Sequence, residues 1–238
     1  MERWIGRTTC LALLALLSLT SCLSGEENGN APGQGIDGDS LDTPDTSRLN
    51  RKPGFTEDYN HANRGIWQKP ELVIDLLGDL SDKTVADIGA GSGFFTFRLT
   101  PLAKKVIAID IDPRFIAYLD SVKVHHLPGE GTTRLETRLA TPSDPHLKPG
   151  EADVVVIVNT YMYLKDRVAY LRNLRQGIAD GGVLLIVDFK KKRTPIGPPA
   201  EFRIPLFQAE EELHEAGYSS VETNDTALDY QYIILSHK

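Results

Sequence analysis

Cysteine is scarce in this chain: Cys10 and Cys22 are the only two among 238 residues. That supply excludes a disulfide framework and any metal centre built from several thiols. Long apolar runs are missing as well. The most hydrophobic stretch, residues 11–19, falls short of the roughly 20 residues a helix needs to span a bilayer. An excess of basic charge is absent: 26 Lys and Arg stand against 33 Asp and Glu, a net charge of −7, which disfavours nucleic acid as a partner. Histidine is sparse, and the adjacent His125 and His126, read as a strand or loop, would point to opposite sides and not share a metal. No metal site and no internal repeat are expected.

The first 52 residues read as address and tether. Arg3 and Arg7 precede the apolar stretch, and Leu19, Thr20, Ser21 and Cys22 follow it. This pattern resembles a bacterial lipoprotein signal peptide over residues 1–21. The resemblance implies cleavage before Cys22, lipidation of its thiol, and a membrane-anchored protein on the extracytoplasmic side. A misassigned start codon would leave the protein in the cytoplasm instead. Residues 22–52 are rich in Gly, Ser, Asp, Asn and Thr. Their acids Glu26, Glu27, Asp37, Asp39, Asp42 and Asp45 make them a flexible acidic linker with little to bury. Residues 53–238 suit one domain.

The most informative segment of that domain is an apolar run ending in Asp87, followed by Gly89, Gly91 and Gly93 at alternate positions and a helix-like stretch over residues 94–99. A strand feeding a tight turn and a helix, with glycines where a Cβ would keep a ligand off the backbone, reads as a nucleotide-type site. A dinucleotide fingerprint places its third glycine one residue later, where this chain has Phe94. A second apolar run, Val106 to Ile109, ends in Asp110. That acid lies about 20 residues past the glycines, where a ribose-binding carboxylate is expected. Asp112 with Pro113 marks the next helix start.

Beyond it the alternation continues. Residues 134–139, 153–158 and 183–187 read as strands. A helix capped by Asp166 carries Val168, Leu171, Leu174 and Ile178, and the glycines at 181 and 182 stop it. A further helix over residues 210–216 ends at Gly217. Segments around Val221 and over 230–235 are close enough for an antiparallel pair. The pattern predicts an α/β, Rossmann-like, doubly wound sheet.

Together these motifs resemble the class I S-adenosylmethionine (SAM) methyltransferases. That resemblance implies a mostly parallel seven-stranded sheet with an antiparallel C-terminal strand. Flanking pieces, among them Arg64 to Pro70, Asn159 to Tyr161 and Tyr230 to Tyr232, are similar to a branch of bacterial small-molecule methyltransferases. The family's pattern implies SAM as cofactor. Gly89, Ala90, Gly91 and Gly93 would approach its methionine part, and Asp87 its amino group. Asp110 would hold the ribose, Ile111 would pack on the adenine, and Asn159 would close the pocket under the methionine end. An acid often sits near the adenine amine after the third strand. Here Leu139, Ala140 and Thr141 leave only backbone groups for it.

Methyl transfer asks mainly for alignment and dryness, because the sulfonium is already activated. The acceptor is expected near Tyr161 and Tyr163, with Trp67, Arg64 and Gln68 as a candidate lid. The family branch carries histidines at 162 and 163, and Met162 and Tyr163 remove that base, so no catalytic residue is assigned. Two functions follow. One is methyl transfer to a small or membrane-derived acceptor. The other is a non-catalytic binding protein that keeps the nucleoside pocket.

Overall fold

The computed structural model describes residues 63–127 and 129–238. The signal segment, the linker and Cys22 lie outside the described residues, as do the first ten residues of the span read as the domain. No helix among the described residues is long and apolar enough to cross a membrane.

Two short helices, α1 (Arg64–Gln68) and α2 (Pro70–Asp75), lead into the sheet. Lys69 between them adopts a left-handed φ of 46°, and Pro70 starts the second helix, where its missing N–H costs nothing. The strands β1 (Thr84–Ile88), β2 (Lys105–Asp110), β3 (Leu135–Leu139), β4 (Ala152–Val158), β5 (Ile178–Phe189), β6 (Ser219–Asn224) and β7 (Gln231–His237) form one sheet. Its order is β3-β2-β1-β4-β5-β7-β6. The first five strands run parallel, and β7 pairs antiparallel with both β5 and β6. This is the sheet the sequence predicts, antiparallel strand included.

The central strands β1, β2, β4 and β5 are largely apolar because both their faces are covered, whereas the edge strands β3 and β6 are polar and more exposed. A single turn, α5 (Gly131–Arg134), leads into β3. Side chains at alternate positions feed two cores. Ile88, Ile109, Val155, Ile157 and Ile186 pack with Leu171 and Leu174 of α6 (Arg167–Gly177) and with Leu213 of α7 (Leu206–Ala216). Val85, Val106, Val156 and Val187 face the other way, toward Leu99 and toward Leu119 of α4 (Pro113–His126).

Several expectations shift. The helix after the glycines, α3, is one turn (Thr96–Leu99) rather than all of 94–99, since Phe94 and Phe95 complete the turn that leads into it. Ile178 is not the last apolar residue of a helix: β5 starts there, paired with Ala152, and bulges before Val183 meets Val154. The two glycines therefore lie inside an irregular strand. Asp166 stands at the N-cap of α6 but makes no side-chain capping bond. Asp112 does cap α4, accepting from the Arg114 N–H at 2.9 Å. His125 and His126 form the last turn of α4, not a strand or loop, and the His126 ring stacks on Phe97 at 4.5 Å.

Candidate active site

The order β1-β4 at the centre of the sheet reverses the winding direction, which opens a crevice beyond the carboxyl ends of the strands. A cavity of about 520 Å³ lies there, lined by Gly89, Gly91, Asp110, Ile111, Ala140, Asn159 and Tyr163 among others. Its size suits a cofactor-sized ligand.

The turn after β1 is tied down by backbone bonds. The N–H groups of Gly89 and Ala90 both donate to the Ile109 carbonyl, at 2.8 and 3.0 Å. Gly89, Gly91 and Gly93 have φ of 74°, 54° and 86°, a region that side chains with a Cβ rarely adopt. Their individual reasons differ. A Cβ on Gly89 would collide with Thr160 Oγ1, and one on Gly93 would stand 2.5 Å from the Phe97 ring. These two glycines make room for protein, and only Gly89 of the pair lines the cavity. Ala90 is buried within the core and does not line the cavity.

Asp110 ends β2 and is almost fully buried. One carboxylate oxygen accepts from the Gly91 N–H at 2.8 Å, the other from the Asp112 N–H at 2.9 Å. Each oxygen keeps a lone pair for a ligand hydroxyl. Burial raises the carboxyl above its ordinary range, against the pull of those backbone donors. Ile111, beside it, exposes 58% of its surface at the cavity. Leu139 is also half exposed, but its side chain does not line the cavity; Ala140, Thr141 and Pro142 do.

Asp87 sits deeper, under the turn. It accepts from the Thr96 hydroxyl at 2.6 Å, and burial pushes it up to about 6. The positive charge of Arg64 opposes that rise. The Arg64 guanidinium lies 4.0 Å over the Phe94 ring, and Arg98 lies at the same distance. Burial lowers Arg64 to about 10. So α1 brings a cation to the acid of the glycine turn. Trp67, from the same helix, packs on the ring of Phe189 at the end of β5, with ring centres 5.6 Å apart. Neither Arg64 nor Trp67 lines the cavity.

Tyr161 requires a correction. It belongs to the 3₁₀ turn Tyr161–Tyr163 after β4, but its ring is wholly buried in the core. Its hydroxyl donates to Glu212 of α7, which also takes two bonds from Arg167 at 2.7 and 2.6 Å. It is a packing residue, not a pocket wall. Tyr163, two residues on, does line the cavity and is 64% exposed. Met162 is buried, and its backbone N–H donates to Asp188 at 3.0 Å. Burial pushes that carboxyl up to about 7.

Sequence reasoning offered Gln68 as a lid residue and missed that it joins Gln231 in contact with Asn159. Gln68 and Gln231 are fully buried, and both donate to Asn159 Oδ1. A wholly polar residue opening the apolar strand β7 was the available signal. Tyr170, from α6, also lines the cavity unannounced by any motif.

Residues 86–184 match the family model of a methyltransferase domain. A tRNA U34 carboxymethyltransferase from Shewanella putrefaciens is 28% identical over 134 residues, covering 52% of this chain and 36% of that protein. This chain thus spans little more than a third of the length of the curated relatives it matches. A SAM-dependent methyltransferase from Aquifex aeolicus superposes with a TM-score of 0.67 at 24% identity, over 74% of this chain and 92% of that one. A phosphoethanolamine N-methyltransferase from Haemonchus contortus, solved with SAM bound, gives a TM-score of 0.60 at 14% identity, over 72% of this chain and 52% of that one. Sheet order and glycine turn agree with the match: residues 86–184 are similar to a methyltransferase domain, and the fold is that of the SAM-dependent methyltransferases.

Proposed function

We propose that the protein transfers a methyl group from SAM to a small or membrane-derived acceptor. The observation that carries this reading is the joint placement of Gly91 and Asp110 at one cavity wall, the carboxylate held by the turn it faces. In this reading Asp110 takes the ribose hydroxyls, and Ile111 with Phe115 covers the adenine. Asp87 stabilises the cofactor's ammonium from below the turn. Gly89 and Gly91 border the methionine part, with Asn159 beyond them. When bound, SAM supplies an activated methyl; the chain's own residues orient it and keep water out. Tyr163 stands where the acceptor enters.

Asp110→Ala should weaken SAM binding by about 1.5–3 kcal/mol, the worth of hydrogen bonds to a charged group. Calorimetric titration checks this. Unchanged affinity in a folded variant would refute the ribose assignment.

The acid beneath the turn gives a pH signature. Asp87 titrates near 6 when folded, against about 3.9 unfolded. Between these values the folded state holds more protons, so stability without ligand is present below the unfolded value and declines as pH rises through 6. A cationic ligand favours the ionised acid, so SAM affinity should rise over roughly pH 5–7 while ligand-free stability falls. Asp87→Asn should flatten both profiles. A rise in affinity that survives in this variant assigns the dependence to another group.

The anchor is part of the proposal. The lipobox-like segment around Cys22 supports lipid attachment outside the cytoplasm. Cys22→Ser should abolish labelling by a fatty-acid probe and leave a precursor about two kilodaltons heavier. A wild type that is unlabelled and found in the cytoplasmic fraction refutes the anchor and leaves the methyltransferase reading intact.

A second reading rests on position 162. A buried methionine there supplies no base, which suits a non-catalytic binding protein. Incubation with methyl-labelled SAM and membrane or metabolite extracts decides: tight SAM binding without label transfer favours binding alone.

A further inference from the structure

Three amides join α1 to the tip of β4, and a guanidinium fixes which way each of them points. Arg64 Nε donates to Gln68 Oε1 at 2.6 Å. A guanidinium has donors only, so the end of Gln68 that meets it must be the carbonyl oxygen. Gln68 Nε2 is thereby turned inward, where it donates to Gln231 Oε1 at 3.2 Å and reaches Asn159 Oδ1 at 3.5 Å. Gln231, having accepted through its oxygen, has only Nε2 to offer, and that group donates to Asn159 Oδ1. The oxygen of Asn159 is thus committed to two donors. What Asn159 has left is Nδ2, and no acceptor among the described residues takes it up.

Asn159 lines the cavity beside Gly89 and Thr160. Its backbone is also held: φ is 58°, and its N–H donates to the Val187 carbonyl at 2.9 Å. Gln68 and Gln231 are fully buried, so each would incur the cost of an unmet polar group if the chain of bonds were broken. The polarity set at Arg64 is transmitted without a free rotor to the group that faces the ligand.

We infer that this relay fixes Asn159 as a hydrogen-bond donor to a carboxylate oxygen of the bound cofactor's amino-acid end, with Gln68 and Gln231 as positioning residues. The inference rests on the methyltransferase reading. It adds a recognition element for the one part of SAM that carries negative charge. Asp87, an acid, suits the ammonium; an amide NH₂ turned outward suits the carboxylate.

The test uses the full chain and two nucleosides that share adenosine and sulfur: S-adenosylhomocysteine, which has the amino-acid end, and 5′-methylthioadenosine, which lacks it. Asn159→Asp is nearly isosteric and keeps the oxygen that Gln68 and Gln231 contact, but replaces the donor with an acceptor. It should weaken S-adenosylhomocysteine by at least about tenfold and leave methylthioadenosine unchanged. Gln68→Glu keeps the contact to Arg64 but cannot donate inward. Gln231 would turn over, Asn159 would follow, and an oxygen would face the ligand. The same ligand-selective loss should therefore arise from a residue that never touches the cavity. A structural role alone would weaken both nucleosides together, and that result overturns the inference, as does Asn159→Asp with wild-type affinity for S-adenosylhomocysteine. Wild-type protein that binds neither nucleoside overturns the methyltransferase reading itself, and the inference with it.

Discussion

Gly93→Val should destabilise the domain by about 2–5 kcal/mol, the sum of a left-handed backbone imposed on a branched residue and of overpacking. Gly93 has a φ of 86°, and its absent Cβ would stand 2.5 Å from the Phe97 ring and 2.8 Å from Leu119 Cδ2. Neither neighbour can withdraw freely. Phe97 is stacked against His126, and Leu119 is fully buried on α4. Against a typical total of about 5–15 kcal/mol, this loss is a large fraction of the whole. Gly78→Val is the control. Gly78 also has a positive φ, 69°, but a Cβ there meets nothing within 4 Å. It should show only the backbone part. Urea unfolding reads both: the midpoint should fall much further for Gly93→Val, with little change in slope. Equal losses would mean that helix packing does not explain the third glycine.

Glu212→Ala should cost about 3 kcal/mol, near the lower end for breaking a buried pair. The carboxylate exposes 12% of its side chain and Arg167 exposes 20%. Its removal strands the guanidinium, and with it the Tyr161 hydroxyl and the Gln208 amide, which donates to Glu212 at 2.8 Å. Arg167 also lies near the Tyr161 ring, 5.7 Å from its centre. The cost comes from uncompensated polar groups more than from a lost attraction. Replacing both charges, Arg167→Met with Glu212→Leu, should therefore restore much of the stability. The exposed pair Arg172 and Glu215, at 53% and 65% exposure, offers the contrast: Glu215→Ala should change stability by less than about 0.5 kcal/mol. A double variant that is no more stable than Glu212→Ala would show that the pair contributes net stabilisation of its own.

The cluster around Glu212 also bears on what a sequence can reveal. Tyr161 closely follows the β4 tip, where a ligand-facing residue is expected, and a tyrosine suits that place. Its direction is set instead by a carboxylate 51 residues away on α7. Nothing local distinguishes its environment from that of Tyr163, which does reach the cavity. The end of α4 shows the same limit at shorter range. Two adjacent histidines carry no periodicity, so the helix that runs through them could not be told from a loop.

By itself the sequence determined whatever depends on neighbours along the chain. Continuous β-branched runs specified buried parallel strands, because both faces of each strand must be covered. The glycine spacing after Asp87 specified a turn of positive φ. The acid at the tip of β2 was placed by the length of one β-α-β unit; that it also accepts from the Gly91 N–H is a finding of the structure. The tertiary structure alone decided that Gly89 and Gly93 make room for protein, that β5 begins before its glycines, and that the buried amides of Gln68 and Gln231 both donate to Asn159. Gln68 meets Asn159 across 91 positions and Gln231 across 163. Contacts over such distances are fixed by sheet order and strand register, and no local pattern of residues encodes either.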